Sequence, residues 1–97
     1  LINTMPTQIT RDDRASGGHT VLRVEGEMFR EDAALIERLA NEIFEESRTT
    51  VVIDLADLDF MDSEAASILK RLQDSGRVQI EGVEIFLQSA VDLAERV

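Results

Sequence analysis

The sequence predicts a small α/β domain in which α-helices pack on one mixed β-sheet of about four strands. Residues 51–55 form a nearly continuous, β-branched apolar run, which is typical of a strand covered on both faces. Stretches with helical apolar spacing lie on both sides of this run, and shorter runs of β-formers lie before and after them. The predicted order of elements is therefore β-β-α-β-α-β-α.

The amino-terminal part of the chain reads as a tail followed by a hairpin. Residues 1–6 show no periodicity and are predicted to be a disordered tail, so that one domain extends over residues 7–97. Residues 8–11 suit a short edge strand, and a polar stretch with two glycines then predicts a hairpin loop. Residues 19–25 are rich in β-formers and predict the second strand, which Gly26 is expected to end.

Two amphipathic stretches predict the helices that flank the central strand. The first begins at Glu31 or Asp32, and its apolar stripe consists of Leu35, Ile36, Leu39, Ala40 and Ile43. The second begins after Asp62, whose carboxylate is suited to accept from free N–H groups at a helix start. Its stripe consists of Ala65, Ile68, Leu69 and Leu72. Gly76 stands where a helix commonly ends in a left-handed residue.

The carboxyl-terminal stretch leaves one choice open. Residues 77–81 alternate and predict a short last strand. Apolar residues then keep helical spacing from Val83 to Ala94, which favours a final helix. Residues 83–87, Val-Glu-Ile-Phe-Leu, are also a good strand sequence, so a last strand there is the alternative.

Composition limits the class of protein. The 97 residues suffice for one small core, and their formal charge is −10. This charge argues against nucleic acid and anionic membrane surfaces as partners. No apolar run approaches a membrane span, and there is no signal pattern and no cysteine. We therefore expect a cytoplasmic protein without disulfides or thiolate chemistry and without membrane insertion.

Catalysis and metal binding are weakly indicated. Asp54, Asp57, Asp59 and Asp62 lie close together in sequence, but they lack EF-hand spacing and a histidine, which favours structural or solvated carboxylates over a cation site. Ser63 lacks a nucleophile-elbow motif, and His19, the single histidine, is distant in sequence. We expect no metal, no cofactor and no enzymatic activity. A small metal-dependent or hydrolytic enzyme is the alternative of another class.

Two segments carry a resemblance to a known family. Residues 60–69, Phe-Met-Asp-Ser-Glu-Ala-Ala-Ser-Ile-Leu, follow Val-Val-Ile-Asp-Leu at 51–55. This arrangement resembles the signature of the STAS domain family, which is named after sulfate transporters and anti-sigma-factor antagonists. Residues 22–27, Leu-Arg-Val-Glu-Gly-Glu, resemble the Val-x-Gly-Glu-Leu-Asp turn of the same family. The resemblance covers the chain from Thr20 to about Val97 and implies the STAS fold.

The resemblance also implies a protein-docking function. In anti-sigma-factor antagonists the turn after the third strand docks on an anti-sigma factor that is also a serine kinase, and the Ser or Thr after Asp-Ser accepts phosphate. Asp62 and Ser63 match that motif, but Glu64 occupies the acceptor position. The upstream turn keeps Gly26, whereas Phe29 replaces its acidic residue. The resemblance thus implies a docking surface at these five residues without the usual phosphoacceptor.

Three interpretations of Glu64 remain open. Its charge could imitate the phosphorylated state, with one negative charge in place of nearly two. The chain could instead belong to another STAS branch, the small subunits of lipid-trafficking ABC transporters, whose partners are transporter components. The simplest interpretation is an acid in the first turn of a helix, which is stabilised by the helix dipole.

Overall fold

A computed structural model describes residues 7–13 and 19–83 of the chain. Within these residues the elements are β1 (Thr7–Asp12), β2 (Val21–Met28), α1 (Arg30–Ser47), β3 (Val51–Asp54), β4 (Leu58–Met61), α2 (Ser63–Asp74) and β5 (Val78–Glu81). The predicted α/β class and the mixed sheet are confirmed. The predictions for residues 1–6 and for the segment that follows Val83 lie outside the described residues.

The sheet is built around β2 and β3. β1 pairs antiparallel with β2 at one edge of the sheet, as the hairpin pattern predicted. β2 and β3 are parallel, and β5 pairs parallel with the other side of β3. The apolar run at 51–55 therefore supplies a central strand, as predicted, although the strand itself ends at Asp54.

A fifth strand lies where the sequence indicated only an acidic loop. β4 pairs parallel with the last residues of β2, beyond the part of β2 that pairs with β3. A short turn at residues 55–57 separates the two strands, and the Ala56 N–H donates to Asp54 Oδ1 at 2.9 Å within it. The prediction of about four strands missed β4 because this strand is four residues long and carries an acidic residue between its apolar ones.

The predicted end of β2 at Gly26 is wrong. The strand continues to Met28, and Gly26 adopts a φ of 88° inside it. The pairing register with β4 shifts at this point, from Gly26 opposite Leu58 to Glu27 opposite Phe60. Asp59 is therefore an extra residue on β4, a β-bulge that the positive φ of Gly26 accompanies.

Both helices pack on the sheet and on each other. α1 starts at Arg30, one residue before the first of the two predicted starts, Glu31 and Asp32, and α2 starts at Ser63 with Asp62 as its N-cap. The core between helices and sheet contains Leu22, Val24, Met28, Ile36, Val51, Ile53, Leu55, Leu69 and Leu72. Leu35 departs from the predicted stripe, since 38% of it is exposed. The Arg71 guanidinium binds the Glu37 carboxylate at 3.0 Å and so joins α2 to α1.

Candidate functional site

The amino-terminal ends of the two helices lie side by side at the carboxyl ends of the parallel strands. Met28 pairs with Met61 at the ends of the parallel strands β2 and β4. Because β2 and β4 are parallel, their carboxyl ends lie at the same end of the sheet, and each of these strands leads into a helix. The Asp62 N–H donates to the Met28 carbonyl at 3.1 Å, which fixes the start of α2 against the end of β2.

Asp62 caps α2 as the sequence predicted. Its backbone is extended, with φ −79° and ψ 168°, and its Oδ1 accepts from the Ala65 N–H at 2.7 Å. Ser63 is the first helical residue and is exposed, and its carbonyl accepts from the Ser67 hydroxyl at 3.1 Å. The carboxylate thus satisfies one of the free N–H groups of the helix start and leaves Ser63 on the surface.

The start of α1 is held by Asp32. The Phe29 N–H donates to Asp32 Oδ2 at 2.9 Å, and the Thr7 hydroxyl lies 2.9 Å from the same oxygen. The Thr7 hydroxyl also contacts the Glu27 carbonyl. Through these contacts β1, the end of β2 and the first turn of α1 share one hydrogen-bonded cluster, which fixes Phe29 at the rim of the site.

A cleft of about 520 Å³ separates the two helix starts. It is lined by Phe29, Arg30, Glu31, Asp62, Ser63 and Glu64. Four of the five residues that the sequence singled out, namely Asp62, Ser63, Glu64 and Phe29, therefore lie together. Gly26 lies outside the cleft, in β2 opposite the bulge of β4, where its N–H donates to the Asp57 carbonyl at 3.4 Å. The sequence did not predict Arg30 and Glu31 as site residues. Their position directly after a strand could have indicated them, because sites are common where parallel strands lead into helices.

One cation, Arg30, lies beside Glu64. Arg30 Nε lies 3.4 Å from Glu64 Oε2, and Arg30 Nη2 lies 3.7 Å from Glu31 Oε1. The side chains of Arg30 and Glu64 are 62% and 66% exposed, so this ion pair is worth about 1 kcal/mol or less. Its significance is positional, because a carboxylate and its counter-cation bridge the starts of the two helices.

Metal ligands do not cluster in the described part of the chain, and the single histidine lies away from Ser63. In residues 7–13 and 19–83 no three acidic or histidine side chains converge as metal ligands. His19 precedes β2 and its Nδ1 lies 3.2 Å from the Thr50 carbonyl, at the opposite end of the strands from Ser63. Some of the acidic residues have structural roles, such as the cap by Asp62 and the contact of Asp54 with Arg23 at 3.6 Å.

A second, apolar groove adjoins the cleft. Its volume is about 550 Å³, and it is lined by Leu55, Met61, Asp62, Ser63, Ala66, Leu69, Lys70, Gln73, Ile80 and Val83. Asp62 and Ser63 line both depressions. The Asp62–Ser63 turn is therefore a ridge between a charged cleft on one side and an apolar groove on the other.

The site thus consists of two helix starts beside a mixed sheet, with an acid-serine turn between them. The STAS domain model matches residues 10–92, and the chain belongs to the STAS domain family. No match to an individually curated protein sequence was found. None of the helices in the described part of the chain combines the length and the hydropathy needed to cross a bilayer.

Solved structures share the fold. An anti-sigma-factor antagonist STAS domain from Rhodobacter sphaeroides is similar over 86% of this chain and 94% of that chain, with 22% identity and a TM-score of 0.61. The unphosphorylated anti-sigma factor antagonist SpoIIAA is similar over 75% of this chain and 71% of that one, with 19% identity and a TM-score of 0.54. A protein from Shewanella loihica with a SpoIIAA-like fold is similar over 82% and 69%, with 18% identity and a TM-score of 0.58.

Proposed function

We propose that this chain is a non-enzymatic regulatory protein that docks on a protein partner of the anti-sigma-factor kinase type, in the cytoplasm. The proposal takes residues 7–97 as one docking domain, and the docking surface is the cleft at Asp62, Ser63 and Glu64. The observation that carries it is the position of Glu64, which occupies the acceptor position of the family motif and lines the cleft between the two helix starts.

Glu64 sets the charge state of this surface. A phosphorylated serine at a helix start carries nearly two negative charges and disturbs a partner that binds the unmodified form. Glu64 places one carboxylate at that position without any modification, and Arg30 Nε at 3.4 Å is the cation that faces it. We therefore infer that wild type docks only weakly on this partner, because Glu64 places a phosphate-like charge in the cleft and offers no hydroxyl at residue 64 for a kinase to modify.

The distance between Ser63 and the single histidine supports docking rather than serine-histidine hydrolysis. Ser63 is exposed, and within residues 7–13 and 19–83 the single histidine lies at the other end of the sheet. A serine nucleophile needs a base within hydrogen-bond reach. Recognition by surface contact needs no such base, and the helix starts supply free backbone N–H groups and charged side chains for it.

The test is to restore the hydroxyl at residue 64. Wild type, Glu64→Ser and the double variant Ser63→Ala/Glu64→Ser are incubated with a candidate anti-sigma kinase and ATP, and each protein is weighed intact. We expect one phosphate on both variants and none on wild type, together with tighter kinase binding by unphosphorylated Glu64→Ser. Phosphate on wild-type Ser63, or no phosphate and no change of binding in Glu64→Ser, would contradict the proposal.

A further inference from the structure

Phe60 is an exposed aromatic residue beside the cleft. In residues 7–13 and 19–83 only Phe60 and Leu35 are large apolar residues with marked exposure, at 43% and 38%. The Phe60 ring contacts Phe29, with the ring centroids 5.6 Å apart and the planes tilted by 47°. Because Phe29 also lines the cleft, the two rings form a continuous apolar surface, here called the Phe29–Phe60 pair, at the edge of the proposed docking site.

The β-bulge at Asp59 is the reason why Phe60 is exposed. In a regular strand Leu58 and Phe60 would point to the same face, and Leu58 is buried in the core with 3% exposed. The extra residue Asp59 shifts the register, so that Phe60 lies opposite the exposed Glu27 while Met61 packs on the core. The backbone thus departs from regular pairing at the one place where this turns an aromatic ring outward.

The surroundings of the pair are strongly acidic. Residues 25–31 and 57–64 contain seven acidic residues and one basic residue, so these two segments account for −6 of the formal charge of −10. Glu27, Asp59 and Glu31 are exposed next to the rings in sequence or in register. The basic residue is Arg30, which is already engaged by Glu31 and Glu64. A cation brought by a partner would be attracted both by these carboxylates and by the faces of the rings.

We propose that the Phe29–Phe60 pair is the anchor of the docking surface and that it receives a basic segment of the partner protein, with an apolar side chain on Phe60 and Arg or Lys side chains on the acidic rim. This inference rests on the proposed function, since it states which chemistry of the partner the same surface recognises. Charge complementarity identifies the occupant, because an exposed aromatic residue surrounded by carboxylates favours cations and repels acidic segments and phosphates.

The test uses a peptide in place of the partner. A capped hexapeptide of alternating arginine and leucine is titrated into ¹⁵N-labelled protein, and a capped hexapeptide of alternating glutamate and leucine is the control ligand. We expect amide shifts in residues 27–31 and 57–64 with the arginine peptide only. Phe60→Ser should weaken the affinity about ten-fold, while Leu35→Ser, which removes the other exposed apolar side chain, leaves it within about two-fold.

Asp59→Asn tests the acidic rim without removing a ring. It should weaken binding about two- to three-fold at low salt, and this difference should decrease as salt screens the charges. Equal binding of both peptides, shifts elsewhere on the protein, or equal affinities for Phe60→Ser and Leu35→Ser would overturn the inference. Because no kinase is present, this result is independent of phosphate transfer to Glu64→Ser, and the two proposals can fail separately.

Discussion

At the scale of single residues, Asp62 is the side chain that most directly fixes the geometry of the cleft. Its carboxylate accepts from the Ala65 N–H at 2.7 Å, and its own N–H donates to the Met28 carbonyl at 3.1 Å. The first contact starts α2 and the second attaches this start to β2. Ser63 and Glu64 are presented to solvent because the residue before them is held on both sides.

Replacing Asp62 by alanine should lower the free energy of unfolding by about 1 kcal/mol, because the Ala65 N–H then loses its partner at the helix start. Urea denaturation followed by circular dichroism measures this loss. Ser63→Ala is the matched control and should change the free energy by less than about 0.5 kcal/mol, since Ser63 is an exposed first helical residue. Equal losses in the two variants would show that Asp62 does not act as the cap.

The residues of the site differ in how far the sequence could predict them. Asp62 was predictable because a cap depends only on the few residues that follow it. The contact of Arg30 with Glu64 was not, since it joins residues 34 positions apart in the chain through the pairing of β2 with β4. The exposure of Phe60 was hidden for a related reason, because a bulge changes which face a residue occupies without leaving a periodicity in the sequence.

At the scale of the elements, the turn between β3 and β4 is packed against the end of β5. The Leu55 N–H donates to the Glu81 carbonyl at 2.8 Å, and Gly82 follows with a φ of 80°. A Cβ on Gly82 would lie 2.5 Å from the Ala56 nitrogen and 2.9 Å from Asp54 Oδ1. A glycine is therefore required there both by the backbone angle and by the close approach of the turn.

Gly82→Ala and Gly76→Ala separate these two requirements. Gly76 has a φ of 81° but nothing within 4 Å of an added Cβ. The free energy of unfolding of Gly76→Ala should therefore fall only by the cost of a left-handed alanine, about 1–2 kcal/mol. Gly82→Ala adds a clash with backbone atoms, so its free energy of unfolding should fall by about 1–3 kcal/mol more. Equal losses in urea denaturation would show that the turn at residues 55–57 yields to the added methyl group.

The elements were predicted with uneven success for physical reasons. The stripes of both helices and the run at 51–55 are long or strongly patterned, and burial enforces such patterns. β4 has four residues, and its pairing depends on where β2 lies rather than on its own sequence. The pattern around Gly26 predicts a strand end, but in the structure its φ of 88° lies within β2, opposite the bulge of β4.

At the scale of the whole molecule, charge and core act in opposite directions. The core between helices and sheet is closed around Ile53, which is fully buried in the central strand. The formal charge of −10 on 97 residues acts against the core, because the mutual repulsion of the excess carboxylates favours the expanded chain. Five of the ion pairs each have at least one substantially exposed partner, so each offsets this repulsion only slightly: Arg11–Asp13, Arg30–Glu64, Arg48–Glu45, Lys70–Asp74 and Arg71–Glu37.

We therefore expect sodium chloride to stabilise the folded chain. Salt screens the repulsion among the excess carboxylates over distances of about 10 Å and more, whereas the exposed ion pairs that it also weakens contribute little. A net gain of about 1 kcal/mol would raise the melting temperature by about 4–8 °C for a domain of this size. Thermal melts in about 0.02 M and 0.5 M sodium chloride measure the effect, with potassium chloride as a control for specific ion binding. A lower melting temperature at high salt would show that the ion pairs, such as Arg71–Glu37 and Arg30–Glu64, outweigh the repulsion. The acidic surface would then not destabilise the isolated fold.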